Sequence, residues 1–260
     1  MKPSFFPPIV ALCNDLLFAT RLSDVIRQLG GEPVIANTPD ELRRGLERWP
    51  LLILLDLAAL PAAVWQPEVQ RAKVSPQTKH IPIYAFGSHV DTALLASARQ
   101  AGCDHVWARS RFMGELPQVI DTALHPPTVY VDGWDAAPSP EFLHGIALFN
   151  AGELHAQHDV FEALWREDLR PIRELYQGVL QVGLALYHIE GDNYRGAVKM
   201  FRRGLPRLRT LPPVCQTLDV ARLRTEARAL HDQLIALGPD HFPAFERAQV
   251  RAFKLHLIEG

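Results

Sequence analysis

Residues 51–56 read LLILLD, and this run decides the fold of the first half of the chain. Consecutive apolar residues without polar alternation are typical of a strand that is buried on both faces, as in the middle of a parallel sheet. The run ends at Asp56, so an acidic side chain is predicted at the carboxyl end of that strand. In sheets of this kind, ligands bind outside the carboxyl ends of the strands.

On either side of this run, short apolar segments alternate with helical patterns. A capping box opens one helix at Thr38, where a proline follows directly, and further helices are predicted from Leu16, Asp91 and Phe112. The predicted strands are Pro8–Cys13, Pro33–Ala36, Leu51–Leu55, Ile81–Phe86 and His105–Trp107. Five strands that alternate with helices predict a five-stranded, parallel, doubly wound sheet of the flavodoxin-like type.

A proline-rich stretch divides the chain. Residues 125–140 read HPPTVYVDGWDAAPSP, and proline fixes φ and removes a backbone donor, which is typical of a connector. We therefore predict an α/β domain over residues 1–124, a linker over 125–138 and an all-α helical bundle over 139–260. The last two helices of the bundle are predicted over Leu218–Leu237 and Phe245–Ile258.

The composition limits the classes of function. The formal net charge of −2 gives no reason to expect nucleic-acid or anionic-membrane binding. The apolar stretch Trp49–Trp65 contains Asp56 and Pro61, which argues against a membrane span. Three cysteines without a CxxC motif are typical of a reduced compartment, so we expect a cytoplasmic protein.

Polar residues follow the predicted strands at one edge of the sheet. Asp56 follows the third strand, and Asn14 and Asp15 follow the first, while Ser88 and Arg109 follow the fourth and fifth. We expect these side chains to line one pocket, with arginine suited to an anion. The alternative is ordinary loop hydrogen bonding, in which Asp56 caps the next turn and Asp91 caps a helix.

This arrangement resembles the receiver domain of two-component response regulators over about residues 7–124, and AGCDHVWARSRF (residues 101–112) is especially similar. The resemblance implies that Asp56 corresponds to the phosphoryl acceptor and that Asn14 and Asp15 correspond to the acidic pair that holds Mg²⁺. Gly87 stands at the family's threonine or serine position, and Arg109 stands at its lysine position. We therefore expect a degenerate receiver that binds Mg²⁺ weakly at Asp15 and Asp56 and serves docking or another anion.

The second half contains a histidine-carboxylate motif, FNAGELHAQHDVFEALW, at residues 149–165. At 100° per residue, His155, His158 and Glu162 fall within about 60° of arc on one helix face. On the following helix Gln177, Gln181 and His188 share a face of about 40°. A turn near Pro171 predicts that the two helices form an antiparallel hairpin, in which paired residue numbers add up to about 340.

Imidazole and carboxylate side chains at helical spacing are the ligands that metal sites in bundles use. The metal-site hypothesis assigns His158, Glu162 and His188 to zinc, manganese or iron, with Glu162 and His158 as the catalytic residues. Without a metal, Glu162 could orient His158 as a general base. The competing interpretation is a hydrogen-bond network, and the supporting residues in either case are His155, Asn150, Gln177 and Gln181.

The two helices resemble a small all-helical bacterial family, the domain of unknown function 309, over about residues 140–210. That family is often labelled a predicted metal-dependent hydrolase, and the resemblance implies that activity. The positions that carry over are Asn150, Gly152, His158, Glu162, Trp165, Tyr176, Gln177, Gly178, Gln181, His188 and Gly196. Asp159 stands where the motif often has glutamate. The basic stretch Lys199–Arg209 could bind an anion, or it could be a solvated helix face.

The sequence thus supports two functional hypotheses. The first is a regulator-like signalling protein in which a degenerate receiver is coupled to a metal-dependent hydrolase site. The alternative is a non-catalytic scaffold whose helical domain mediates homodimerisation or binds a protein partner. A water-accessible site at His158, Glu162 and His188 would favour the enzyme, whereas complete burial against Phe161 and Trp165 would favour the scaffold.

Overall fold

The structure is a computed structural model that describes residues 7–75 and 78–258. The ends of the two predicted domains, residues 1–6 and 259–260, lie outside this part. Contacts within the chain divide it between Pro126 and Pro127, next to the start of the predicted linker. We call the two parts the receiver-like unit and the helical unit.

The receiver-like unit alternates strands and helices, as the sequence predicts. Its elements are β1 (Ile9–Leu12), α1 (Leu16–Gln28), β2 (Pro33–Ala36), α2 (Pro39–Leu46), β3 (Leu52–Asp56), α3 (Ala62–Val74), β4 (Ile83–Gly87), α4 (Thr92–Ala101), β5 (His105–Ala108) and α5 (Arg109–Leu124). The five strands are parallel and lie in the order β2-β1-β3-β4-β5. The predicted fold class is confirmed.

The central strands are buried on both faces because helices cover each side of the sheet. Every residue of β1 and β3 is buried. Alternate residues of β3 enter different cores: Ile53 and Leu55 pack in one, and Leu52 and Leu54 pack in the other. The continuous apolar run therefore reflects burial from two sides, as the sequence pattern predicts.

One helix of this unit, α3, was not predicted from the sequence. Helix α3 contains Pro67 in its interior, and no side chain caps its first turn at Pro61. Proline lacks a backbone donor, and a missing cap removes the usual start signal. The helix is held by burial instead, because Trp65 and Val69 belong to the core.

The first helix of the helical unit is capped by Ser139, whose hydroxyl accepts a hydrogen bond from the amide of Phe142. Its helices are α6 (Pro140–Ala151), α7 (Leu154–Glu167), α8 (Arg173–Glu190), α9 (Tyr194–Leu208), α10 (Val220–His241) and α11 (Ala248–Ala252). Helices α6 to α9 follow one another as a bundle, and α8 is its most buried member. Among the described residues, no helix is long and apolar enough to cross a membrane.

Two predictions for the end of the chain are wrong in detail. A short antiparallel pair, β6 (Val214–Cys215) and β7 (Leu218–Asp219), lies in the half that was predicted to be all-α. Its turn uses Gln216 and Thr217 at positive φ, so the glycine or asparagine that marks such turns is missing. The helix predicted over Phe245–Ile258 is reduced to α11, because Phe253 is already extended.

The predicted linker packs against the helical unit. The amide of Val129 donates to the carbonyl of Thr210, and the amide of Gln216 donates to the carbonyl of Trp134. Val131 and Trp134 are partly buried against the helical core. The apolar residues of the connector are therefore part of this unit.

Candidate functional sites

An arginine joins two carboxylates at the carboxyl edge of the sheet. Asp56 ends β3, Arg109 begins α5 directly after β5, and Asp15 caps the first turn of α1. Nη2 of Arg109 lies 2.5 Å from Oδ2 of Asp56, and its Nη1 lies 3.5 Å from Oδ2 of Asp15. The structure thus brings these three predicted residues together.

The buried carboxylate of Asp56 has partners on both oxygens. The residue is only 1% exposed. The amide of Ala58 donates to Oδ1 at 3.1 Å, and the thiol of Cys13 lies 3.7 Å from Oδ2, the oxygen that also accepts from Arg109. Burial, and to a smaller extent the charge of Asp56, raises the pKa of Cys13 to about 11, so this thiol stays protonated at neutral pH.

The guanidinium of Arg109 is fixed by aromatic rings as well as by carboxylates. It lies over the ring of Phe18 at 4.9 Å and near the ring of Phe86 at 5.9 Å. Asn14, the residue before Asp15, donates its side-chain amide to the carbonyl of Ala59 at 2.6 Å. The described residues contain no group of three side chains suited to a metal ion, and the weak Mg²⁺ site at Asp15 and Asp56 stays a prediction.

An open pocket of about 570 Å³ lies next to the arginine. Ser88 is one of its lining residues and is exposed, whereas Gly87 is buried, and a Cβ there would come within 3.2 Å of Leu57. Asp91 caps α4 through the amide of Leu94, as the loop interpretation predicts. The pocket is lined by Phe18, Ala58, Gly87, Ser88, His89, Arg109, Ser110 and Met113.

In the helical unit, aromatic and imidazole rings follow one face of the α7–α8 hairpin. The rings of His155 and His158 are 6.4 Å apart, and that of His155 is 6.1 Å from the ring of Tyr187. Tyr187 in turn lies 5.9 Å from His188. The antiparallel pairing of His155 with the end of α8 is therefore as predicted. These groups are partly exposed, so the complete burial expected for a purely structural network is absent from this face.

The three predicted metal ligands do not converge on one point. Glu162 pairs with Arg166 of its own helix at 2.9 Å, and Nδ1 of His158 lies 3.1 Å from the carboxylate of Asp159. Nδ1 of His188 lies 3.3 Å from the side-chain amide of Asn193. The described part of the chain holds no cluster of three metal-ligating side chains, and a metal at His158, Glu162 and His188 stays a prediction.

The environment of His188 favours a neutral imidazole. Burial lowers its pKa below the ordinary value of 6.5, and the charge of Lys199 lowers it further. A neutral ring can accept a proton, which is the property that a general base requires.

Two glycines of α8, Gly178 and Gly183, lie against different neighbouring helices. A Cβ on Gly183 would lie 2.3 Å from Nε2 of Gln157, so α7 packs against this position. A Cβ on Gly178 would lie 2.5 Å from Cδ2 of Leu208, so α9 packs against this position. Gln157 is fully buried and was missed as a polar residue of the hairpin, although its number pairs with that of Gly183.

Asn150 has a different role from the one expected. Its side-chain amide donates to the carbonyl of Leu255 at 2.9 Å, and its carbonyl accepts from the amide of Leu255 at 2.7 Å. These two bonds join the end of α6 to the segment that follows α11. The side chain therefore fixes the C-terminal segment.

A second open groove, of about 590 Å³, lies between α6 and α7. Val160 and Leu164 contribute apolar surface to it, and three carboxylates lie around it. His144 of α6 also lines this groove. The carboxylates are those of Glu141, Asp159 and Glu167.

The first half of the chain was compared with solved structures. The features compared are the parallel sheet, its strand order and the acidic residue at the end of β3. The receiver-like unit is a five-stranded parallel sheet with flanking helices, like those of response-regulator receiver domains. It is similar to a protein described as a response regulator from Chloroflexus aurantiacus J-10-fl, at 23% identity over 45% of this chain and 96% of that one, with a TM-score of 0.40. A receiver domain from Rhodospirillum rubrum is 20% identical over 44% of this chain and 91% of that one, with a TM-score of 0.36.

The second half matches a family model. Residues 142–200 match the family described as Domain of unknown function (DUF309). This range contains α7 and α8 with His155, His158, Glu162 and His188. No curated protein matches the chain.

Proposed function

We propose that this chain is a cytoplasmic, regulator-like protein whose receiver-like unit works without phosphorylation and whose helical unit provides the binding or catalytic function. The observation that carries the proposal is the position of Arg109, which bonds to Asp56 and reaches Asp15. A guanidinium cannot be deprotonated in a protein, so it carries a permanent positive charge. Because it is planar and has two terminal nitrogens, it can donate hydrogen bonds to two carboxylates at once.

This position opposes phosphoryl transfer in two ways. Attack on a phosphoryl group requires an accessible lone pair on the Asp56 carboxylate, and this buried group is held by Arg109 at Oδ2 and by the amide of Ala58 at Oδ1. Charge neutralisation by Mg²⁺ requires oxygen ligands, and the carboxylates of Asp15 and Asp56 are shared with Arg109. The arginine takes the role of the cation in the resting structure.

Incubation with a small-molecule phosphodonor and Mg²⁺, followed by intact mass spectrometry, tests this proposal. The wild-type chain is expected to stay unmodified, like the matched control Asp56→Asn. A stoichiometric phosphoryl adduct on the wild type that Asp56→Asn abolishes would contradict it.

A metal-dependent hydrolase in the helical unit is a second candidate function. It is favoured by the partly exposed imidazoles of His155, His158 and His188 and by the lowered pKa of His188. Since the donors do not converge, we assign no step to a metal and place the general-base role on this face. Metal analysis of protein purified without a histidine tag decides the question: stoichiometric metal that is lost in His158→Ala supports the metal enzyme, and metal-free protein argues against it.

The scaffold hypothesis is favoured by the groove between α6 and α7. Its apolar floor is bordered by Glu141, Asp159 and Glu167, which is complementary to a basic amphipathic segment of a partner. Sedimentation analysis of the purified chain separates this alternative from homodimerisation. If the chain forms a dimer, its average mass rises with protein concentration, whereas a chain that binds only a different partner keeps the mass of a monomer.

A further inference from the structure

The open groove of about 590 Å³ between α6 and α7, here called the α6–α7 groove, has an apolar floor. Val160 and Leu164 are four residues apart on α7, so they form one row, and both are partly buried. Beside this row Ala163 is exposed and presents only a methyl group. Apolar surface that solvent reaches in this way is typical of a face that another molecule covers.

The floor of the groove is fixed by the packing beneath it. A Cβ on Gly145 of α6 would lie 2.9 Å from Cζ of Phe161 and 3.2 Å from Cγ1 of Val160, so the two helices are in close contact there. The buried rings of Phe142 and Phe161 are 5.9 Å apart. A surface that is already ordered costs less conformational entropy when a partner binds to it.

The groove has the length of a short helix. Helix α6 has 12 residues and α7 has 14, which are about 18 Å and 21 Å long at 1.5 Å per residue. Only Gly152 and Glu153 connect them, so the two helices are antiparallel neighbours. A third helix of about three turns can lie along both, as in the recognition of amphipathic helices by apolar grooves.

Carboxylates border both ends of the groove. Asp159 and Glu167 are eight residues apart on α7, which is about 12 Å along the helix axis, and they share one face. Glu141 is in the first turn of α6 and, because the helices are antiparallel, borders the same end as Glu167. All three are exposed. Residues 140–167 hold five acidic residues and one basic residue, so the surrounding surface is negative as well.

The structure of α7 itself does not account for Glu167. This carboxylate stands in the last turn, where the helix dipole disfavours a negative charge. In the part of the chain that the structure describes, neither Glu167 nor Glu141 forms an ion pair, whereas Asp159 lies 3.1 Å from the imidazole of His158. A cation supplied from outside the chain would neutralise the end of the groove at Glu141 and Glu167.

The charges select the kind of partner. A negative rim repels nucleic acid and anionic membranes and attracts lysine and arginine side chains. Such side chains can lay their apolar stems on the floor and keep their charged ends at the rim. On a helix, residues seven or eight positions apart lie about 10–12 Å apart on one face, which matches the spacing of Asp159 and Glu167.

We infer that the α6–α7 groove binds a basic amphipathic helix of a partner protein. The apolar face of that helix covers Val160 and Leu164, and two of its basic residues, seven or eight positions apart, pair with Asp159 and Glu167. The inference rests on the scaffold role proposed for the helical unit and adds the conformation of the partner and the residues that it contacts.

Fluorescence anisotropy of a labelled peptide, titrated with the full-length chain, tests the inference. The probe is a synthetic helix of ~18 residues with a leucine stripe and lysines about eight positions apart beside it, and a second probe has glutamate in place of every lysine. Saturable binding of the lysine peptide is expected, with a Kd that rises with salt concentration. Binding of the glutamate peptide is expected to be at least about tenfold weaker.

Two variants locate the binding in the groove. Ala163→Arg places a long cation on an exposed position beside the floor and is expected to weaken binding of the lysine peptide at least about tenfold. Glu167→Gln removes one exposed ion pair and is expected to weaken it about two- to fivefold. The matched controls are Ala229→Arg, on an exposed position of α10, and Glu190→Gln, in the last turn of α8, and both are expected to keep the wild-type affinity.

The same titration in the Asp56→Asn background separates this inference from the proposed role of the receiver-like unit. A phosphoryl adduct on Asp56 would contradict that role and leave peptide binding to the groove unchanged. Absence of saturable binding, equal affinity for the two peptides, or equal affinity of the wild type and Ala163→Arg would overturn the inference. Dimerisation that Ala163→Arg abolishes, without peptide binding, would also overturn it, in favour of a second copy of this chain.

Discussion

Replacing Arg109 with methionine removes the cation that faces a buried carboxylate and keeps much of the side-chain stem over Phe18. Removing one partner of a fully buried ion pair costs about 3–5 kcal/mol, whereas an exposed pair contributes about 0–1 kcal/mol. The side chain of Asp56 is 2% exposed and that of Arg109 is 32% exposed, so this pair lies between those limits. We expect Arg109→Met to lower the free energy of unfolding of the receiver-like unit by about 2–3 kcal/mol.

A double-mutant cycle separates the ion pair from the loss of packing. Asp56→Asn removes the charge that Arg109 neutralises, so the double variant is expected to be more stable than the two single effects predict by at least about 1 kcal/mol. Hydrogen exchange of the amides in β1 and β3 measures the stability of this unit without relying on the other half of the chain.

The matched control for this cycle is Arg111→Met on the same helix. Arg111 forms an exposed pair with Glu115, and its loss is expected to change stability by less than about 0.5 kcal/mol. An Arg109→Met effect no larger than this control, or a coupling near zero with Asp56→Asn, would refute the claim that the arginine neutralises a buried carboxylate.

Three further predictions concern the fold and its pH dependence. Gly178→Ala is expected to destabilise the helical unit by about 1–3 kcal/mol in urea unfolding, because its Cβ would overlap Leu208. The control is Gly114→Ala in α5, where a Cβ meets open space, and it is expected to stabilise the chain by up to about 1 kcal/mol. Asn150→Ala is expected to lose about 1–3 kcal/mol and to speed hydrogen exchange at Leu255, and unchanged exchange would contradict the role of Asn150. Burial lowers the pKa of His231 below its ordinary value of 6.5. As the pH falls, the unfolded state therefore takes up the proton first, and the free energy of unfolding falls below about pH 6.5 by at most about 1.4 kcal/mol per pH unit. Urea unfolding at a series of pH values should show a smaller fall in His231→Leu, and an identical fall would exclude this histidine as a cause.

The parallel sheet was predictable because its signal is local and strong. The run that forms β3 is apolar throughout, and the capping residues Thr38, Asp91 and Ser139 all accept the hydrogen bonds that their helices require. Helix α3 and the β6–β7 turn were missed because their sequences lack a cap and a glycine, and packing holds them instead.

The receiver-like site was predictable as a neighbourhood, since parallel strands end at one edge. The hydrogen-bond partners of Arg109 were not predictable. Whether its guanidinium bonds to Asp15, to Asp56 or to solvent depends on side-chain packing against Phe18. In the helical unit, the pairing of Glu162 with Arg166 had a sequence signal, namely opposite charges four residues apart on one helix. That signal favours an ion pair within α7 over a metal-ligand role for Glu162.

We expect Arg109, which pairs with both Asp15 and Asp56, to exclude a divalent cation from the position between them. Paramagnetic broadening by Mn²⁺, followed in the amide spectrum of the full-length chain, measures cation binding at that position. We expect the resonances of Leu57 and Ala58 to stay sharp in the wild type at millimolar Mn²⁺ and to broaden in Arg109→Met, where both carboxylates are released. Selective broadening of Leu57 and Ala58 in the wild type at low Mn²⁺ would show that a cation binds between Asp15 and Asp56 despite Arg109.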